Sequence, residues 1–367
     1  MSETHAFAET PTPDPTRVQL TREWLHRRLF DGVWNSLLTV LAIAFLVWAI
    51  PPIVDWLFLS AVWGAAPPEA CRAAEGACWA MVHDKYRLII FGRYPYMEQW
   101  RPFVGMLILI AMIGVSCRRA HWKLWLAGAW LAAGGAFLGL MWGGFLGLTY
   151  IRTELWGGLP LTMLLAFVGI AAAFPLSIVL ALGRRSKMPV IRAICVVYIE
   201  FIRGVPLISV LFMASVMLPL FLPEGVTIAA LLRAQIAIIL FSAAYLAEVI
   251  RGGLQAIPRG QVEAAESIGL SYWQTQRMIV LPQAIRLVIP PIVNTFIGLF
   301  KDTSLVAIVS LTDLLLAMRQ AVADPAWRVY FVEGYLFIAL IYFLFCYFMS
   351  KYSQYLERDL HAGTRRS

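Results

Sequence analysis

Long apolar runs alternate with short polar intervals along most of the chain, at roughly residues 35–62, 103–117, 124–147, 159–182, 203–222, 228–250, 286–317 and 331–350. Most reach the ~20 residues that a helix needs to cross the hydrocarbon of a bilayer. Within the runs apolar residues are consecutive instead of alternating, which points to helices and away from barrel strands. The pattern predicts an all-α, polytopic membrane protein with about eight transmembrane helices. Pro51-Pro52 predicts a kink in the first span. The short second run, Phe103 to Cys117, predicts a helix that begins inside the preceding loop.

One interval breaks the pattern. Between Arg251 and Arg286 the chain reads RGGLQAIPRGQVEAAESIGLSYWQTQRMIVLPQAIR, rich in charges, amides and hydroxyls. Pro258 or Arg259 is placed to open a helix and Gly269 to end it as its C′ residue. Val262, Ala265, Ile268 and Gly269 recur at spacings of three and four, which predicts one narrow stripe of mostly small side chains. Ser271 with Gln274 forms a capping-box pattern for a second helix, and Pro282 interrupts it before the next span. Two short amphipathic helices lying along the membrane surface are the expectation, against the plainer reading of a solvated connector.

Composition agrees with the membrane assignment. The chain is 60% hydrophobic and 14% charged, where soluble domains carry about a quarter of their residues as charges. The net charge of +8 suggests a nucleic-acid partner only until its placement is read. Lys and Arg fall mostly in short loops beside apolar runs, where they orient spans and hold those loops in the cytoplasm. Arg17, Arg22, Arg27 and Arg28 place the N-terminus inside, and an even number of spans returns the C-terminus inside. Residues 1–34 read as a disordered tail followed by an interfacial helix, and 356–367 as a cytoplasmic tail. No short apolar core with a small-residue cleavage site is present, so the first span is expected to serve as an uncleaved signal. The loop 64–102 then lies in the periplasm, where an oxidising compartment permits a disulfide between Cys71 and Cys78. Cys117, Cys195 and Cys346 read as apolar packing. No Cys/His cluster has metal-ligand spacing, so no metal site is expected.

The polar interval carries a more specific signal. Glu263-Ala264-Ala265, then Gly269, Ile279, Leu281 and Pro282, at these spacings, resembles the EAA loop of ABC importer permeases. YIEFIRGVPLISVL (Tyr198–Leu211), AEVIRGGLQAIPRGQ (Ala247–Gln261) and KDTSLVAIVSLTDLL (Lys301–Leu315) resemble the polar amino-acid branch of that family. The resemblance implies a five-helix permease core at 155–355, with the coupling loop at 251–283. Residues 35–150 form a three-span extension, similar to that of the longer permease subunits of general L-amino-acid importers. It also implies partners: two copies of a cytoplasmic ATP-binding subunit, a second and non-identical permease, and a periplasmic amino-acid-binding protein, all at a bacterial inner membrane. Glu263, Ala264, Ala265, Gly269, Ile279, Leu281 and Pro282 would couple to the ATPase. ATP and Mg would be bound by that partner, with no cofactor in this chain. Independently of the resemblance, none of the five lysines (85, 123, 187, 301, 351) follows a glycine, so the chain lacks a GxxxxGK[ST] phosphate loop.

Ionisable groups inside spans mark function or paid-for structure. Glu200 and Arg203, and again Glu248 and Arg251, lie three apart and are expected to pair as a gate or structural latch. Lys301, Asp302, Thr303 and Ser304 break an apolar run near its centre and are the candidates for substrate contact, because a broken helix can offer charges and freed backbone to a zwitterion. Asp313 and Arg233 are weaker candidates. An ion-gradient-driven secondary transporter would share the helices and the charges but has no need of a coupling module. No constellation for an enzyme is visible. Purified alone, the chain is expected to hydrolyse ATP no faster than a protein-free control in a phosphate-release assay.

Overall fold

The computed structural model describes residues 28–364. Every regular element among them is helical, and the calls on residues 1–27 and 365–367 lie outside the described residues. Seven helices are long and apolar enough to cross a membrane, or up to eight if a bent pair is counted as one span. The chain divides into two compact units, one up to Trp79 and one from Ala80 onward.

The first unit contains α1 (Val33–Val54), which continues as one π turn through Leu59 and buries none of its residues in protein. Its exposed Leu, Ile, Val and Trp side chains suit a lipid surrounding. The chain then folds back through α2 (Pro68–Ala73), and Cys71 is bonded to Cys78. Backbone bonds from Val62 to Ala77 and from Ala77 to Trp56 hold the return. Trp63 stacks between Phe58 and Trp79 at 6.3 and 5.6 Å.

The second unit holds α3 (Trp79–Phe91), from Ala80 onward, then α4 (Trp100–Ser116), α5 (Leu124–Trp142) and α6 (Gly158–Arg184). After them come α7 (Pro189–Gly204), α8 (Leu207–Phe212), α9 (Ala230–Ala256) and α10 (Arg259–Ser267). The chain closes with α11 (Tyr272–Thr275), α12 (Leu281–Leu287), α13 (Ile289–Asp302), α14 (Leu314–Ala321) and α15 (Phe331–Thr364). Helices α6 and α9 form its centre. Ala173, Ala181, Ala243, Ala244 and Ala247 are wholly buried, and Gly169 lies against Ile238 and Leu299. Small side chains let membrane helices approach closely, where dispersion and not water exclusion drives association. Met106 and Leu109 of α4 and Phe137 and Met141 of α5 join the same core as Leu161, Leu165, Ile238 and Phe300. Arg101, fully buried, fastens this region: its Nε donates to Leu140 O at 2.7 Å and its Nη1 to Thr149 O at 2.9 Å.

Two expected spans differ in shape. The run 203–222 is not one helix; α7 and the stretch Leu207–Phe221 meet at 103°. Pro206 has no N–H to donate and holds Val205 extended, at φ −110° and ψ 135°, so the helix stops there. The run 286–317 breaks twice. Asp302 leads into a 3-10 segment, Thr303–Val309, and Ser310 then takes a left-handed φ of 63° before Asp313 starts α14. The helix expected from residue 103 begins as early as Tyr96.

At the end of the unit away from the 257–283 loop, α3 lies on α14 and the start of α15. Ile89 is buried with Leu314, Met318, Ala321 and Ile338. Lys85 Nζ reaches Asp324 at 2.9 Å, and Trp327 Nε1 donates to Asp84 at 2.9 Å. Beside this contact Gly158, at φ +64°, packs its backbone so closely that a Cβ would stand 2.1 Å from Ile90 O. Gly158→Ala adds a steric clash to left-handed strain and is expected to cost about 3 kcal/mol or more. Gly147→Ala, at φ +76° with open space around it, adds strain alone and is expected to cost about 1 kcal/mol. Thermal unfolding of both variants in the same detergent checks the ranking.

Candidate functional site

The polar interval folds as a compact arm at one end of the second unit. Helix α9 runs straight into it, and Ile257-Pro258 turns the chain in extended conformation before α10. The end of α10 is a Schellman arrangement: Leu270 N donates to Ala265 O at 3.1 Å and Gly269 N to Glu266 O at 3.0 Å. Gly269 carries the left-handed φ of +81° that this arrangement needs. Ser271 then caps α11 with a reciprocal box, its N–H donating to Gln274 Oε1 at 2.9 Å. A π turn over Gln276–Val280 and Pro282 in the first turn of α12 return the chain to the core. Gln283 Nε2 donates to Gln261 Oε1 at 3.3 Å and ties α12 to α10.

The expected single stripe separates into two directions. Val262 is half-buried and packs with the cluster of Ile250, Leu254 and Val280, which seats the arm on the core, and Ala265 is buried. Glu263, Ala264 and Gly269 are exposed. Ile268, Tyr272, Trp273 and Met278 are also exposed, at 74%, 52%, 69% and 66%. That is a large apolar surface for a polar loop. Ile279 and Leu281 are half-buried, and Pro282 is exposed. Between the arm and the helix ends lies a cavity of about 270 Å³, lined among others by Arg185, Arg259, Glu263 and Gln276.

Just inside the arm the charged residues form one network. Glu248 Oε2 meets Arg251 at 2.8 Å and Arg203 at 3.8 Å, while its Oε1 meets Arg184 at 3.1 Å. Arg184 also meets Glu200 at 2.7 Å. The expected pairing of Glu200 with Arg203 is corrected: Glu200 turns to α6 and Arg203 to α9. In sequence Arg184 opens the basic stretch RRSKMPVIR, but it is the last residue of α6 and so is still fixed by the helix.

The second candidate region behaves differently. Lys301 is exposed, Asp302 half-buried, and no ion pair joins them among the described residues. Thr303 is buried and donates to Phe300 O at 2.7 Å, and Ser304 donates to Lys301 O at 2.8 Å. The hydroxyls therefore bond back to carbonyls of the last turn of α13. Where the 3-10 segment meets α8, a shallow, open apolar groove is lined by Ile208, Ser209, Phe212, Met213 and Ile308. Arg233 donates to Ser215 O within the π turn that follows α8.

The helix-capping carboxylate in this region is Asp313, not Asp302. It is fully buried and accepts the N–H groups of Leu315 and Leu316 at 3.1 and 3.0 Å. Thr162 Oγ1 takes the N–H of Leu314 at 3.1 Å, so α6 completes the cap.

Comparison with known proteins supplies the context for this arrangement. Residues 173–362 match the family described as binding-protein-dependent transport system inner membrane component. The chain is 48% identical over 364 residues to the inner membrane amino-acid ABC transporter permease protein YhdY of Escherichia coli (strain K12). That alignment covers 97% of this chain and 98% of the relative. It is 38% identical over 422 residues to the glutamate/glutamine/aspartate/asparagine transport system permease protein BztC of Rhodobacter capsulatus, covering 97% of each. A solved structure titled as the crystal structure of an amino acid ABC transporter with histidines is 34% identical. It covers 55% of this chain and 92% of its own, with a TM-score of 0.49.

Proposed function

The chain belongs to the binding-protein-dependent transport system inner membrane component family, and from that premise we propose the following division of labour. It is the transmembrane permease subunit of an ATP-driven importer of polar or general L-amino acids. A soluble binding protein delivers the amino acid on the periplasmic side, and ATP and Mg are held by two copies of a separate ATPase subunit on the cytoplasmic side. The subunit sits in a bacterial inner membrane with both termini in the cytoplasm. It pairs with a second, non-identical permease, because its three-span extension is similar to that of the longer subunits of such importers. The chain performs transport and no catalysis of its own.

The observation that carries this reading is the arm at 257–283. A secondary transporter has no use for a surface of exposed Ile268, Tyr272, Trp273 and Met278 around an exposed Glu263. A protein that must be gripped by an ATPase does. In this reading α10 is the coupling helix. Glu263 and Ala264 face the ATPase, Ala265 anchors the helix from behind, and Gly269 sets the turn. Ile279, Leu281 and Pro282 shape the return to the membrane. Full-length relatives with amino-acid transport names support the substrate class. Lys301, Asp302, Thr303 and Ser304 stay the proposed contact for the passing zwitterion, alongside the apolar groove by α8.

Reconstitution of the whole complex in liposomes tests the proposal. Uptake of an amino acid is expected to need both internal ATP and the binding protein, and uptake driven by an ion gradient alone would overturn it. In the same assay Glu263→Lys and Ala264→Trp are expected to lower uptake at least tenfold at unchanged membrane levels. Both side chains are exposed, so both variants are expected to keep the fold of the arm.

A further inference from the structure

We infer that Glu248 is the positioning residue that keys the two helices beside α9 to the coupling arm, so that movement of the arm reaches the break between α7 and α8. The inference rests on the importer reading above and concerns how that importer is driven. Glu248 lies two turns before the end of α9, whose C-terminus becomes the arm at Ile257-Pro258. Its side chain is only 14% exposed. It contacts three arginines from three helices: Arg184, the last residue of α6, Arg203, in the last turn of α7, and Arg251 of α9 itself. Glu200 of α7 holds the other side of Arg184. The ring of Tyr245, one turn back on α9, lies 5.6 Å from the Arg203 guanidinium. Three cations and two anions therefore share one site, and the carboxylate on the arm-bearing helix is the one that all three cations reach.

Position gives this cluster its meaning. Arg203 and Glu200 stand immediately before Gly204-Val205-Pro206, where the chain turns by 103°. Beyond the turn, Ile208, Ser209 and Phe212 line the apolar groove with Ile308. A displacement of the inner end of α9 must carry Glu248 with it. The arginines follow, because a carboxylate moved away would leave partly buried cations unpaired. The arginines also outnumber the carboxylates, and the Arg203 contact is the loosest at 3.8 Å. Exchange of partners at this contact would give the junction a second arrangement. Coupling over distance needs such a two-state element.

The test uses the complete reconstituted complex and measures amino-acid uptake and ATP hydrolysis on the same vesicles. Glu248→Gln keeps the shape and removes the charge. It is expected to lower uptake at least tenfold while hydrolysis falls less than twofold, so that ATP spent per amino acid rises at least fivefold. Glu248→Asp, which keeps the charge, is expected to restore at least half of the uptake. If Glu248→Gln does not assemble, Arg203→Gln is measured in its place. It removes the loosest ion pair and the contact with Tyr245, and a smaller rise in ATP per amino acid, about twofold, is expected. Uptake and hydrolysis falling together, or an unchanged ratio in the variant measured, would overturn the inference and leave Glu248 a structural ion pair. A wild-type complex without ATP- and binding-protein-dependent uptake would instead overturn the importer reading, before any variant is compared.

Discussion

Backbone hydrogen bonding inside hydrocarbon constrains everything else in this chain, because a peptide group without a partner there costs several kcal/mol. Spans can be interrupted only where a side chain or a neighbouring helix supplies the missing partners. Each interruption here has its own repair. At 302–304 two hydroxyls bond back to Phe300 and Lys301 carbonyls. At 312–316 the Asp313 carboxylate and Thr162 hydroxyl take the first free N–H groups of α14. At 204–206 proline removes the donor altogether. The polar residues that look anomalous in an apolar sequence are largely the means by which it can bend.

That distinction explains what was legible from sequence. Span number and helical class follow from run length and continuity, which local composition reports directly. The arm was legible in detail, because Pro258, Gly269, Ser271 and Gln274 act on backbone within a few residues of themselves. The bent pair was not. Helix α7 carries Arg192, Glu200 and Arg203 on one face and exposed Val190, Ile194, Val197 and Phe201 on another. A search for continuous apolar runs passes over such a helix and starts the span too late. Ion-pair partners were legible only where they are local: Glu248 with Arg251 share a turn, whereas Glu200 with Arg184 depends on how α6 and α7 pack.

The same limit applies to the region before residue 158. Its spans were visible, but nothing local to Asp84, Lys85 or Ile89 announces that they rest on α14 and the 324–327 turn. Those contacts join residues more than two hundred positions apart. Relatives aligned over 97% of the chain carry this segment too. Lys85 and Asp324 reinforce one another electrostatically. The ammonium beside it holds the Asp324 carboxyl below the usual range, and the two carboxylates raise Lys85.

The two ends of the second unit are held by different physics. At the α3 end, Gly92 and Gly158 bring backbone against backbone, and Ile89 and Met81 are completely buried. Close packing of this kind has a steep repulsive wall and no alternative arrangement nearby, so it moves as a block or not at all. At the arm end, five charged side chains meet over distances of 2.7 to 3.8 Å. Long, flexible arginines can change partners there while helices slide by an ångström or two. A transport cycle needs one part of the subunit to yield while another holds its shape. Packing suits the α3 end to holding, and in the proposed importer the ion pairs beside the arm are the part placed to yield.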